Sequence, residues 1–220
     1  MNYNDHSKLE GKHAFLSASK NSWLNKDEDQ ILDAYARQYV TELGTALHDI
    51  ARKHIKHRIK LTKAAKREVM LSLVEDYHIP EITIERGVDF EGIFENLIAY
   101  VNDSIGYRMV PEQILYYSDL CFGTADAISD LDSVLLKKTL KIFDLKTGTT
   151  PVHVDQLLIY VALFCLEYNV RPGDLDIELR IYQTLKDEVE CMHPTAEDIV
   201  PIMDKIVSMD KHINHVLKEK

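Results

Sequence analysis

The residues best suited to chemistry lie in two segments with the pattern of neighbouring β-strands. Asp126 follows Gly123-Thr124-Ala125, while Asp144 and Lys146 stand two residues apart at the end of an otherwise apolar segment. Because side chains two residues apart on a strand point to the same face, Asp144 and Lys146 would share one side of a sheet. Two carboxylates and an ammonium group can hold a hard divalent cation and position a water molecule for attack on a phosphoryl group.

Each of these residues, taken singly, also has a plain structural explanation. An Asp-x-Lys pair on a strand is most often an exposed ion pair, and Asp126 could begin a turn. Gln156 and Tyr160, four residues apart, could form the solvated edge of a core helix. Their order along the chain favours a site: a strand Asp, a strand Asp-x-Lys, a turn, and a helix with Gln-x-x-x-Tyr.

The elements that must position these side chains follow from hydrophobic periodicity. Apolar residues at three- and four-residue steps predict helices over about 29–59, 62–77 and 90–106, and a further apolar helix over 154–168. Short segments between turn residues predict strands over 113–118, 122–128, 139–146 and 175–182, with a turn at Ser129, Asp130 and Asp132. We therefore predict an α/β fold whose small central mixed β-sheet, a β-β-β-α-β core, is flanked by helices.

The chain length and the absence of a linker predict a single domain over residues 1–220. Its helical part would span about 1–108, the sheet with its helix about 109–183, and a C-terminal helix about 195–217. The longest apolar run, Leu157 to Leu166, is about half of a bilayer span, and the N-terminal segment is polar. Three widely separated cysteines form neither a disulfide framework nor a metal knuckle. These features predict a soluble cytoplasmic protein with no membrane partner.

The charge of the chain is unevenly distributed. The net charge is −10, yet residues 52–67 contain eight of the 26 Lys and Arg residues and no acid. This basic segment could bind a polyanion locally, and its Lys53, Lys56 and Arg58 are candidates for substrate contacts. The alternative is a solvated Lys-rich helix face.

Three motifs together resemble the PD-(D/E)XK nuclease superfamily, and within it the RecB-like and phage-exonuclease branch. They read GTAD over 123–126, DLKTG over 144–148 and QLLIY over 156–160. Gly44-Thr45-Ala46-Leu47-His48 also looks like the helical G-x-x-x-H motif of that branch, and Phe15 to Ser19 like its hydrophobic-S-x-S start. The resemblance covers roughly residues 15–182.

The resemblance implies a role for each matching residue. Asp126, Asp144 and Lys146 would be catalytic. Mg²⁺ or Mn²⁺ would be held by Asp126, Asp144, His48 and the backbone carbonyl of Leu145. Gln156 and Tyr160 would place the lysine or the DNA backbone. Glu112 sits where some members carry an additional carboxylate, although a plain surface acid after a turn at Pro111 explains it equally well.

The function implied by the resemblance is metal-dependent DNA phosphodiester hydrolysis, most often as an exonuclease in phage-type recombination or DNA processing. Its partners would be DNA, a single-strand annealing protein and further copies of the chain. With three cysteines, none in the expected flanking positions, we predict no iron–sulfur cluster. The alternatives are a structure-sensitive endonuclease and a non-catalytic module that keeps the nuclease fold to bind DNA or protein. The dipeptide His48-Asp49 also suggests an HD-type phosphohydrolase, but those folds are all-helical.

Overall fold

The computed structural model of the protein describes residues 4–148, 154–183 and 189–218. The predicted domain limits 1 and 220 and the segments 149–153 and 184–188 lie outside these residues. The helices of the described chain are α1 (Glu28–Ala36), α2 (Val40–His57), α3 (Lys66–Glu75), α4 (Phe90–Gly106), α5 (Leu131–Lys137), α6 (Asp155–Glu167) and α7 (Ala196–Lys218). The strands are β1 (Val110–Ser118), β2 (Cys121–Ile128), β3 (Thr139–Lys146), β4 (Asp176–Gln183) and β5 (Glu190–Met192).

The five strands form one mixed sheet in the order β1-β2-β3-β4-β5. Antiparallel pairing joins β1, β2 and β3, parallel pairing joins β3 to β4, and β5 pairs antiparallel with β4. Parallel strands need a crossover, and α6 provides it between β3 and β4. The predicted α/β class is confirmed, with a mixed sheet, a helical N-terminal half and a C-terminal helix.

Hydrophobic cores lie on the two sides of this sheet. One contains Leu47 of α2, Leu97 of α4 and Phe143 of β3, and the other contains Val161 and Phe164 of α6. Both faces of β3 are covered, so apolar residues occupy positions on both faces of the strand. Asp144, near the end of β3, is therefore buried. Among the described residues, no helix is both apolar and long enough to span a bilayer.

The structure corrects three details of the predicted elements. The turn expected between β2 and β3 is helix α5, because the Asp130 side chain accepts a hydrogen bond from the Ser133 N–H and Val134 is buried. The long first helix is divided into α1 and α2 by a 3₁₀ turn over Arg37–Tyr39. Strand β5, only three residues long, was not predicted at all.

Candidate metal centre and active site

Three predicted site residues converge at the start of the β1–β2 ladder. Ligand atoms of His48, Glu112 and Asp126 all lie within 4.8 Å of one another. The His48 Nδ1 atom is 3.4 Å from Asp126 Oδ2, and the same Oδ2 accepts a hydrogen bond of 3.0 Å from the Leu145 N–H. One imidazole and two carboxylates brought to a common point can hold a divalent cation. We call these three residues the metal cluster.

Glu112 reaches the cluster through an unusual backbone conformation. Its φ is +53°, in the left-handed region that residues other than glycine seldom occupy. The β1–β2 register is the same before and after Glu112, with Pro111 opposite Ala127 and Gln113 opposite Ala125, so Glu112 and Asp126 face each other across the ladder. Backbone held in such a sparsely populated region is found at functional sites, and here the residue that adopts it brings its carboxylate to the cluster. Pro111 lies within β1, so the turn expected there is wrong.

Helix α2 places His48 by approaching the end of β3 closely. A Cβ atom on Gly44, one turn before His48, would lie 2.8 Å from Thr147 Oγ1, so the glycine permits this approach. Burial lowers the pKa of His48 below its ordinary value, although the nearby Asp144 and Glu112 carboxylates oppose the shift. The imidazole is therefore neutral near pH 7, which is the form that binds a metal ion.

Asp144 stands beside the metal cluster with an unsatisfied oxygen. Its side chain is only 3% exposed, and the Lys146 Nζ atom lies 3.0 Å from its Oδ2. This ion pair lacks hydrogen-bond geometry, so Oδ2 has no hydrogen-bond partner among the described residues. Among the described residues, Lys146 is the one cationic group paired with this buried carboxylate, and a metal ion would compensate its charge further. The residues present therefore fit a divalent metal ion, with Asp144 as a neighbour of the cluster, outside the 4.8 Å group.

The two aspartates are held in an environment that disfavours their charged forms. Burial raises the pKa of Asp126 to about 6, partly offset by the hydrogen bond from the Leu145 N–H and by Lys146. Burial also raises the pKa of Asp144 to about 6, and the Asp126 charge adds to this effect. Because both carboxylates resist ionisation, a bound cation would stabilise their charged forms.

Lys146 is oriented by a chain of hydrogen bonds from α6. Its Nζ atom donates to Gln156 Oε1 at 3.1 Å, and Gln156 Nε2 donates to Tyr160 Oη at 2.9 Å. Tyr160 packs against β2, where a Cβ on Gly123 would lie 2.8 Å from its ring. The predicted role of Gln156 and Tyr160 in placing the lysine thus matches their contacts.

A family comparison bears on the chain as a whole. The family described as "Protein of unknown function (DUF2800)" has a model that matches residues 13–214. The chain belongs to this family. No curated protein and no solved structure matches this DUF2800 chain. The match includes the metal cluster, Lys146 and the α6 residues that hold it.

A second polar network on α2 was missed in the sequence. Asp49 accepts a hydrogen bond from the Tyr77 hydroxyl and pairs with Arg52 and with Lys53, whose Nζ is 2.9 Å away. These bonds hold the pKa of Asp49 well below its usual range. Asp49 is thus committed to Tyr77 and its basic neighbours and is not among the cluster residues, and the mixed sheet also argues against an HD-type fold.

The predicted basic segment is partly neutralised. Lys53 is engaged by Asp49, while Lys63 and Lys66 pair with Glu95 and Glu91 of α4. Within the described chain, Lys56 and Arg58 have no acidic partner. A spacing of eight residues places Lys56 about 12 Å further along α2 than His48 and rotated by about 80° around the helix axis.

Gly123→Ala should disturb the hydrogen-bond chain that positions Lys146 and lower the stability by about 1–3 kcal/mol, because Tyr160 belongs to the core. The added methyl group would displace the Tyr160 ring and through it Gln156, whereas alanine itself is tolerated in a strand. We expect metal-dependent activity to fall by about tenfold, as a small misplacement of a reacting group does, and the melting temperature to fall by roughly 5 °C. Gly106→Ala is the matched control, because nothing lies within 4 Å of its added Cβ. Equal activity of the two variants would show that Tyr160 does not help to position Lys146.

Proposed function

We propose that this DUF2800 protein is a metal-dependent deoxyribonuclease that hydrolyses DNA phosphodiester bonds. The observation that carries the proposal is the buried Asp144 carboxylate, ion-paired with Lys146 and placed beside the metal cluster. Carboxylates, one neutral imidazole and a lysine on one sheet edge suit phosphoryl transfer, which depends mainly on positioning and charge stabilisation. The motifs GTAD, DLKTG and QLLIY support the same class of reaction.

The donor set favours Mg²⁺ or Mn²⁺ as the cofactor. Asp126, Glu112 and Asp144 offer hard carboxylate oxygens, which both ions prefer, and the His48 imidazole is better suited to Mn²⁺. When bound, such an ion supplies Lewis-acid polarisation of the phosphoryl group and favours ionisation of the attacking water.

The remaining groups act on the water and on the developing charge. The Lys146 ammonium, fixed by Gln156, lies where it can orient the attacking water and steady negative charge on the phosphoryl oxygens. His48 stays neutral and keeps Asp126 in place from the other side. Leu145 contributes through its N–H, which donates a hydrogen bond to Asp126.

We infer that the substrate is DNA, degraded from its ends. Lys56 and Arg58 would contact phosphates without reading sequence, and the motifs resemble those of phage exonucleases, so an exonuclease in phage-type recombination or DNA processing is the preferred assignment. The expected setting is the cytoplasm of a bacterial or phage-infected cell. A single-strand annealing protein and further copies of the chain are the expected partners.

The test is cleavage of end-labelled linear duplex, single-stranded DNA and closed circular plasmid in Mg²⁺, Mn²⁺ or EDTA. We expect metal-dependent loss of linear substrates and sparing of the circle. Cleavage of the circle would instead identify an endonuclease. Salt-sensitive binding without cleavage of any substrate would identify a non-catalytic module.

Lys56→Gln combined with Arg58→Gln should weaken DNA binding equally for all sequences. Each lost phosphate contact lowers the slope of log K against log salt by about 1, so the double variant should lose about 2. Lys205→Gln with Lys211→Gln on α7 removes the same charge from another face and serves as the control. Fluorescence anisotropy at several salt concentrations gives the slope of log K against log salt for each protein. Identical slopes for the two double variants would show that Lys56 and Arg58 do not contact DNA phosphates.

A further inference from the structure

The β1–β2 hairpin exposes apolar side chains beside the metal cluster. Ile114, Tyr116 and Phe122 are 54%, 45% and 61% exposed, and we call these three residues the hairpin platform. The rings of Tyr116 and Phe122 stack with their centroids 6.5 Å apart and their planes 27° from parallel. An exposed apolar group of this kind commonly marks a binding surface.

The platform and the two cluster carboxylates occupy the same side of the hairpin. Exposed and more buried residues alternate along both strands over this stretch. On this side lie Glu112, Ile114 and Tyr116 of β1, and Phe122, Thr124 and Asp126 of β2. Tyr116 pairs with Phe122 across the ladder. Four residues of extended strand separate Phe122 from Asp126, which is about 13 Å.

The opposite side of the hairpin is fixed by packing. Leu115 and Ala125 are buried, and the Gly123 backbone lies against the Tyr160 ring. The Tyr116 ring is further held by a hydrogen bond of 2.9 Å from its hydroxyl to Asp119. A rigid support for exposed rings reduces the entropy lost when a ligand stacks on them.

The charges around the platform determine which part of a DNA strand could contact it. The polar groups that contact β1 near the rings are carboxylates: Asp119 accepts from Tyr116, Glu167 accepts from the Tyr116 N–H, and Asp210 accepts from Ser118. These acids disfavour phosphates, in contrast to Lys56 and Arg58 on α2. Base faces carry no charge and stack on aromatic rings irrespective of sequence.

We propose that the hairpin platform stacks unpaired bases of a DNA strand whose scissile phosphate lies at the metal cluster. This inference rests on the proposed nuclease function and extends it to the substrate's form. The platform holds the few nucleotides next to the cleavage point in single-stranded form, and α2 holds the phosphates on the other flank. Single-stranded or frayed ends are therefore bound more tightly than blunt duplex.

The experiment compares Tyr116→Ala and Phe122→Ala with the wild-type protein on single-stranded oligonucleotides that carry 2-aminopurine near one end. Binding is measured in Ca²⁺, which occupies carboxylate sites, and cleavage in Mn²⁺. Leu136→Ala is the matched control, because Leu136 is an 84% exposed apolar residue of α5, outside the hairpin. Phe122→Trp, which keeps a stacking surface, tests for rescue.

We expect each alanine variant to bind the single strand about tenfold more weakly, with loss of 2-aminopurine quenching and an unchanged salt slope. Phe122→Trp should bind as the wild type does, and blunt duplex binding should change little.

Two results would overturn the platform while leaving the nuclease intact. The first is wild-type cleavage with alanine variants that bind and cleave single strands as well as Leu136→Ala does. The second is dissociation of a wild-type oligomer into monomers by the alanine variants without a change in single-strand binding, which would make this side an interface between copies. A folded wild-type protein that neither binds nor cleaves any DNA overturns both proposals.

Discussion

Lys146→Ala should abolish DNA cleavage while leaving metal binding intact. Loss of a positioned proton-transfer or charge-stabilising group lowers rates by about 10²- to 10⁴-fold, and Lys146 is the only ammonium paired with Asp144 among the described residues. Because its positive charge lies 3.0 Å from Asp144 Oδ2, removing it should also tighten the binding of Mn²⁺. Single-turnover cleavage and calorimetric titration with Mn²⁺ measure the two effects.

The control for this substitution is Lys137→Ala, which removes an exposed lysine from α5 beyond the other end of β3. It should cleave and bind Mn²⁺ as the wild type does. Cleavage by Lys146→Ala within a factor of two of the wild type would contradict the assigned role. Loss of both cleavage and Mn²⁺ binding would instead mean that Lys146 maintains the site structurally.

Asp144→Asn should stabilise the metal-free protein at pH 8 and abolish its response to metal. Burial raises the Asp144 pKa from 3.8 to about 6, so the folded state binds this proton more tightly than the unfolded state. The Asp144 carboxyl contributes fully to the free energy of unfolding below pH 4, and this contribution is lost as the pH rises through about 6. The neutral amide of the Asp144→Asn variant carries no charge that burial disfavours, so the variant does not lose this stability as the pH rises.

Thermal unfolding in EDTA at pH 4 and pH 8 measures this prediction. We expect the two proteins to melt alike at pH 4, and the variant to melt of the order of 5 °C higher at pH 8. Added Mn²⁺ should raise the melting temperature of the wild type at pH 8 and leave that of Asp144→Asn unchanged. Asp204→Asn, at an exposed α7 position, is the control and should retain the metal response. A variant less stable than the wild type at pH 8 would contradict the proposed strain at Asp144.

The sequence allowed the sheet and most of the candidate site to be predicted because both depend on short-range patterns. The two-residue spacing of Asp144 and Lys146 determines their common face on β3, and the four-residue spacing of Gln156 and Tyr160 brings their side chains together on α6. Both relations follow from helix and strand geometry alone, and the contacts of Lys146 with Gln156 agree with them.

Other features depended on tertiary structure and could not be read from local pattern. The left-handed backbone at Glu112 and its position opposite Asp126 depend on tertiary structure, so the sequence left this residue open between a ligand and a surface acid. The engagement of Lys53 by Asp49 and Tyr77 joins α2 to a residue 24 positions away. Helix α5 is only seven residues long, and the turn-forming residues at its start indicated a turn instead.

The central claim is that the carboxylates, His48 and Lys146 form one divalent-metal site that hydrolyses DNA. The most direct measurement titrates Mn²⁺ into the wild-type protein and follows metal occupancy and cleavage of an end-labelled linear duplex in parallel samples at pH 8. We expect metal occupancy and cleavage rate to rise together with the same midpoint and EDTA to reverse both. Cleavage in EDTA, or full Mn²⁺ occupancy without cleavage of duplex or single strands, would contradict the central claim.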